Sequence, residues 1–150
     1  MRVVIQRVRE ARVVINEAVK SSIQAGLLVL AAFEEADTPE DLEWVSGKIV
    51  RLRVFDDVAG VMNRSVQEVN GDILLVSQFT LFASTRKGNR PSYSRSAPPP
   101  FAVPLYEQFV KRMQLDLGKP VQTGEFGAHM VVTLSNDGPV TIIIDSKLRE

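Results

Sequence analysis

The stretch Gly26-Leu-Leu-Val-Leu-Ala-Ala-Phe33 constrains the fold more than any other part of the chain. It is far shorter than the ~20 residues a membrane helix needs, and it leaves no face for water. A strand of this kind lies inside a sheet with apolar layers on both sides. Asp72-Ile-Leu-Leu-Val-Ser-Gln-Phe79 has the same character and reads as a second central strand. Around them, Val3, Ile5 and Val8 alternate with polar neighbours, Arg12 to Ile15 follows, and Asn16-Glu17 is a turn. The first 33 residues therefore read as an antiparallel meander.

Cover for the sheet comes from two amphipathic segments. Thr38-Pro39-Glu40-Asp41 is a helix start, with a capping hydroxyl, a proline whose missing N–H is not needed there, and acids facing the dipole. Leu42, Val45, Ile49 and Leu52 follow at helical spacing, and their stripe is a core face. Leu105, Phe109 and Met113 mark a second helix, ended near Gly118 and Pro120. Asp56 to Gly60 breaks the chain between the first helix and the strand at Asp72. Strands near Val121 to Phe126, Ala128 to Ser135 and Val140 to Asp145 close the sequence. The expected fold is α+β: a single domain over residues 1–150, with a mainly antiparallel sheet or partly closed β-barrel covered by two helices.

Composition removes several chemistries. No cysteine is present, which excludes disulfides, thiolate metal sites and a cysteine nucleophile. His129 is the one histidine and no ligand-spaced partners surround it, so neither a metal site nor a Ser-His-acid triad is expected. No glycine-rich phosphate cradle follows a strand. No cofactor is expected. Neither an apolar leader nor a spanning segment occurs, and the chain reads as soluble, unexported and without a membrane partner.

The 18 basic and 18 acidic residues balance, but they are segregated. Arg86, Lys87, Arg90 and Arg95 stand between Asp72 and Glu107 with no acid among them, whereas six acids crowd into Glu34 to Glu43. Thr80 to Pro98, with Gly88, Pro91 and several serines, reads as a long loop. Loops beyond about 12–15 residues in compact domains are commonly functional or disordered. The basic loop is either a phosphate-binding patch or an ordinary solvated surface.

Two strings carry further chemistry. Ser77-Gln78-Phe79-Thr80 ends a buried strand in polar groups, where the sheet fixes the backbone and leaves the next N–H groups free for a ligand. Its plainer reading is a strand terminus whose hydroxyls satisfy a turn. Asn136-Asp137-Gly138-Pro139 reads as a hairpin turn. A cis Gly-Pro bond would instead aim successive carbonyls in one direction and capture an ammonium group.

Taken together, these strings resemble the D-aminoacyl-tRNA deacylases. Gln6-Arg7-Val8, Gly26 to Leu30, Met62-Asn63, Ser77 to Leu81, Arg86 to Tyr93, Thr123-Gly124 and Asn136-Asp-Gly-Pro-Val-Thr141 fall in that family's order across the chain. The resemblance implies an ester hydrolase that frees tRNA from D-amino acids, and from glycine, in the cytoplasm. Its partner is the aminoacyl-tRNA 3′ end rather than DNA, and it works as a homodimer. Gly138 and Pro139 of each subunit would enter the other's pocket and reject L-amino acids, Arg7 would steady their carbonyls, and Met130 would line the wall. Ser77, Gln78, Phe79 and Thr80 map onto the catalytic strand end, with the N–H of Phe79 or Thr80 as oxyanion donor and a ribose hydroxyl assisting water. Thr80 as nucleophile is the second reading. Arg86, Lys87, Arg90 and Arg95 would hold acceptor-stem phosphates. A deacylase for L-amino acids and a non-catalytic RNA-binding module are the competing functions.

Overall fold

The computed structural model describes residues 1–150. In chain order the elements are β1 (Arg2–Ile15), β2 (Ala18–Ile23), β3 (Gly26–Ala32), α1 (Pro39–Arg51), β4 (Phe55–Asp56), β5 (Met62–Arg64), β6 (Asp72–Ser77), a 3₁₀ turn (Phe79–Phe82), α2 (Pro99–Leu117), β7 (Gln122–Thr123) and β8 (Val131–Asp145). Two helices cover a mostly antiparallel sheet that curls toward a barrel, as the sequence predicts.

The first three strands do not form a meander. β1 is the spine: its Arg2–Val8 half pairs with β3, its Ala11–Ile15 half pairs with β2, and β8 runs antiparallel along its other edge. Asn16 and Glu17, at φ 48° and 65°, make the left-handed pair that a two-residue β1–β2 hairpin uses. A single strand reaches two neighbours because its alternation changes partway. Val3 and Ile5 face the helices, whereas Val8, Ala11 and Val13 join a smaller cluster with Ile23, Leu28, Leu74 and Val76 on the other side of the sheet. The Ser21 hydroxyl donates to the Thr123 carbonyl and draws β2 toward β7, so the sheet nearly closes.

β3 and β6 are the buried central pair, aligned in parallel from Gly26↔Asp72 to Ala31↔Ser77. Parallel pairing needs a crossover, and α1 supplies it. Alternation splits each strand between the two cores. Leu27, Val29, Ala31, Ile73 and Leu75 face the helices, whereas Leu28, Leu74 and Val76 face the other layer. At Gly26 a Cβ would collide with the Asp72 carbonyl, so the strands meet this closely only because the residue is glycine.

α1 begins where the sequence places it. The Asp41 carboxylate accepts from the Thr38 N–H at 2.9 Å, and the Asp41 N–H donates to the Thr38 carbonyl at 3.0 Å. Pro39 occupies the first turn, where no N–H is required. α2 opens on Pro99 and Pro100, buries Ala102, Tyr106, Phe109, Met113 and Leu117, and stops at Gly118 in the left-handed region, φ 82°. Ser46 of α1 donates to Asp116 of α2 at 2.7 Å, and Arg112 bridges Glu43 and Asp116 at 3.3 and 2.8 Å.

Three sequence boundaries move. The break at Asp56 to Gly60 is the tip of a small β4–β5 hairpin, with the Asp57 carboxylate accepting the Ala59 and Val61 N–H groups at 2.8 and 3.1 Å. The strand expected near Val121 to Phe126 is paired only at Gln122–Thr123, parallel to β6. The strands expected from Ala128 and from Val140 are one strand, β8, and no hairpin separates them. A turn composition does not reverse the chain here because both flanks pair with the same continuous partner, β1.

Candidate active site

The β1–β8 register shows what Asn-Asp-Gly-Pro does. It runs from Arg2↔Asp145 to Gln6↔Thr141 and resumes at Val8↔Asn136, so one residue of β1, Arg7, stands opposite four of β8, Asp137 to Val140. The surplus residues bulge from the ladder. Asn136 and Thr141 pin the flanks of the bulge: the Asn136 side-chain oxygen accepts the Val140 N–H at 2.9 Å, and its amide donates to the Thr141 hydroxyl at 3.2 Å. The Gly138–Pro139 peptide bond is cis. Gly138 has φ 134°, and a Cβ there would stand 3.0 Å from the Arg7 guanidinium, so both backbone and space select glycine.

Arg7 holds the bulge from beneath. Its Nε donates to the Asp137 carbonyl at 2.9 Å and its Nη1 to the Val54 carbonyl at 2.5 Å, with Asp56 at 3.6 Å. The carbonyl it grips precedes the Gly-Pro pair and belongs to neither member. Arg9 approaches the Asp137 carboxylate at 3.5 Å from the exposed side.

A cavity of about 280 Å³ opens at the end of β6, lined by Ser77, Gln78, Phe79, Phe126, His129 and Met130 among others. The strand stops after Ser77 because Gln78 leaves the extended conformation and the chain winds into the 3₁₀ turn. The Gln78 N–H donates to the Ala31 carbonyl at 2.7 Å, tying the strand end to β3. The N–H groups of Phe79 and Thr80 come next and have no acceptor within the chain. They are the first donors of a helical turn, which have no partner inside the turn itself. The Gln78 amide donates to the Thr80 hydroxyl at 2.6 Å.

The remaining walls are set by close packing. Met130 lies over Gly124, where a Cβ would be 2.5 Å from its sulfur, so the Thr123-Gly124 string makes room for this wall. Tyr106 joins α2 to the sheet by donating to the Leu75 carbonyl at 3.0 Å, and its ring packs 5.9 Å from that of Phe126. Burial raises the Tyr106 pKa to about 12, so it stays a neutral donor.

The structure thus brings Ser77, Gln78, Phe79 and Met130 together around one cavity. Thr80 adjoins it through Gln78, while Gly138, Pro139 and Arg7 do not line it within one chain. Of the basic residues, Arg86, Lys87 and Arg90 have no carboxylate partner. Arg95 instead pairs with Glu34 at 2.6 Å and stacks over Phe82 at 5.1 Å, so it is an anchor of the loop as well as a charge. His129, set aside on sequence grounds, stands on the cavity wall, as does Phe126. A lone His in a strand-like run and a Phe in a turn carry no local signal of a shared cavity.

Known proteins place this architecture. The D-aminoacyl-tRNA deacylases of Flavobacterium johnsoniae and Dechloromonas aromatica are 59% and 58% identical over 150 residues, covering all of this chain and all of theirs. Among solved structures, the c-Myc DNA Unwinding Element Binding Protein superposes with a TM-score of 0.89 at 37% identity, over 97% of this chain and 98% of that one. A probable eukaryotic D-amino acid tRNA deacylase shares the fold, with a TM-score of 0.84 at 19% identity over 95% of this chain and 97% of its own. The class is that of hydrolases acting on aminoacyl-tRNA. Within it, the chain belongs to the D-Tyr-tRNA(Tyr) deacylase family, whose profile matches residues 4–145.

Proposed function

We propose that the protein hydrolyses the ester joining a D-amino acid, or glycine, to the 3′ adenosine of tRNA, and that backbone donors rather than a side-chain nucleophile carry the chemistry. The observation behind this reading is the pair of free N–H groups at Phe79 and Thr80, beside a cavity that holds no acid–base pair aimed at a hydroxyl. Water, assisted by a ribose hydroxyl of the substrate, adds to the ester carbonyl. The negative charge on the carbonyl oxygen falls on those N–H groups, and collapse breaks the carbon–oxygen bond to the ribose, whose departing oxygen takes up the proton that the water gives up through the assisting ribose hydroxyl. Loss of one such donor typically costs about 2.7–4 kcal/mol. The Thr80 hydroxyl, already bonded to Gln78, has no neighbour able to take its proton.

Chirality comes from the other bulged element. Gly138 and Pro139 do not line their own cavity, β8 has no strand on its outer edge, and Ile143 on that strand is 68% exposed. These features support a homodimer in which each bulge enters the partner's cavity. The two carbonyls hold the substrate's α-amino group, and the backbone wall leaves no room for an L side chain. Glycine is hydrolysed because it has nothing to clash. Arg86, Lys87 and Arg90 hold acceptor-stem phosphates, with Arg95 fixing the loop that presents them. Such an enzyme works in the cytoplasm, where tRNA is charged.

The test compares D-Tyr-tRNA, L-Tyr-tRNA and Gly-tRNA across wild type and Thr80→Ala. Hydrolysis of the D and glycyl substrates alone, with measurable turnover in Thr80→Ala, is the expected result. A covalent aminoacyl ester trapped on Thr80 overturns the backbone mechanism, and an active monomer at full turnover overturns the shared pocket.

A further inference from the structure

One exposed feature beside the cavity is not used by this chemistry. Phe79 and Tyr93 pack edge to face, with ring centroids 5.1 Å apart and planes at 73°, yet they are 56% and 39% exposed. Phe79 lines the cavity and Tyr93 packs against its ring just outside it, and two large rings left in water there invite an aromatic ligand. Their position is fixed on both sides. Ser84 and Ser92 exchange backbone bonds at 2.8 and 2.9 Å, the Ser96 N–H donates to the Tyr93 carbonyl at 3.0 Å, and the Ser96 hydroxyl donates to the Phe79 carbonyl at 2.7 Å. Arg95 on Glu34 and Phe82 clamps the same end of the loop. Tyr93 is therefore held in place between Ser92 and Ser96.

The hairpin closed by Ser84 and Ser92 contains Arg86, Lys87 and Arg90, the cations with no carboxylate partner. An aromatic seat beside unpaired positive charge has the chemistry of a single-stranded nucleic acid site: a ring for the base and cations for the phosphates. A purely apolar partner would leave those charges unanswered. We propose that Tyr93, supported edge-on by Phe79, is the stacking seat for the unpaired base immediately before the terminal aminoacyl nucleotide of the substrate. This rests on the reading of the cavity as the seat of the aminoacyl-adenosine end. It makes Tyr93 a residue that distinguishes a charged tRNA end from a free aminoacyl nucleoside.

The experiment uses D-tyrosyl-adenosine, a trinucleotide ending in D-tyrosyl-adenosine, and D-Tyr-tRNA. If wild type hydrolyses none of them, the underlying reading fails, and this one with it. If all three are substrates, Tyr93→Ala should lower the ratio of kcat/KM on the trinucleotide to that on the nucleoside by about 5- to 150-fold. Tyr93→Phe should preserve the ratio, since the ring and not the hydroxyl forms the seat. A trinucleotide with 2-aminopurine next to its terminal nucleotide reads stacking directly: its fluorescence should be quenched on binding wild type and Tyr93→Phe but not Tyr93→Ala. An unchanged ratio in Tyr93→Ala, equal loss on all three substrates, or quenching that survives removal of the ring overturns the proposal.

Discussion

β3 and β8 both border the candidate site, yet they are built in opposite ways. β3 is buried on both faces and, with β6 aligned beside it, fixes the strand end from which Ser77 to Thr80 project. β8 alternates between half-buried and exposed along its 15 residues and pairs only with β1. One region fixes backbone donors through close packing around them. The other carries its bulge on an open edge, held mainly by Arg7 and Asn136. The contrast teaches that a rigid core suits the step proposed to need immobile N–H groups, while an edge strand suits the step proposed to need a second subunit.

The sharpest way to break the comparison is to cut the core under β3 and β6. Phe109 is fully buried and packs edge-on to Phe33 at 6.1 Å. Phe109→Ala should destabilise by about 3–5 kcal/mol in urea unfolding, whereas Ile143→Ala on β8 should change the stability of an isolated subunit by less than about 0.5 kcal/mol. Equal effects would mean that β8 is as much a part of the core as β3.

Arg7→Ala comes next. It strands the Val54 and Asp137 carbonyls, each an acceptor worth roughly 1–3 kcal/mol when left without a donor. The bulge should lose its position, so deacylation should fall at least about tenfold at a temperature where the variant stays folded. Arg7→Lys should not rescue it, because one ammonium cannot span two acceptors as a planar fork does.

A smaller effect belongs to the basic loop. Replacing Arg86, Lys87 and Arg90 with alanine should raise KM for D-Tyr-tRNA and lower the magnitude of the log K against log salt slope by roughly 2–3, from about 0.7–0.9 per phosphate contact. Arg95→Ala should change the slope by less than one contact's worth, since its charge is already met by Glu34.

The smallest expected effect is acid sensitivity. Burial works against the charged forms of Asp41, Asp116 and Asp145. Bonds from Lys147 and Thr38 to Asp41, from Arg112 and Ser46 to Asp116, and from the Lys147 backbone N–H and Arg2 to Asp145 outweigh it, so all three sit below the usual carboxylate range. Carboxyls depressed by folding stabilise above their unfolded pKa of about 3.9 and lose that contribution as pH falls through the folded values. Urea midpoints should therefore hold from pH 7 to about 5 and decline below about 4. A decline confined to pH 6–7 would assign acid sensitivity to other groups.

Much of the fold was legible because its signals are local. Thr38-Pro39 starts a helix by satisfying or omitting nearby N–H groups, Gly118 ends one by accepting a left-handed conformation, and Gly26 to Phe33 must be interior because no polar side chain interrupts it. The cavity residues at Ser77 to Phe79 were legible for a related reason, since a buried strand ending in polar groups is a local transition. Phe126 and His129 were not, because their place on the wall depends on how the segment after β7 folds back over β6.

The amino-acid order by itself determined the two helices, the central apolar strands, the turn at Asn16-Glu17 and the segregation of charge. Each depends on interactions within a few residues of chain. Only the tertiary structure decided that β1 serves two neighbours, that Arg95 is taken up by Glu34, and that Asn-Asp-Gly-Pro is a bulge. The composition of residues 136–139 suits a hairpin and a bulge alike. The choice falls to the bulge because β1 is one continuous strand, and pairing both flanks of the motif with it satisfies more backbone hydrogen bonds than reversing the chain would.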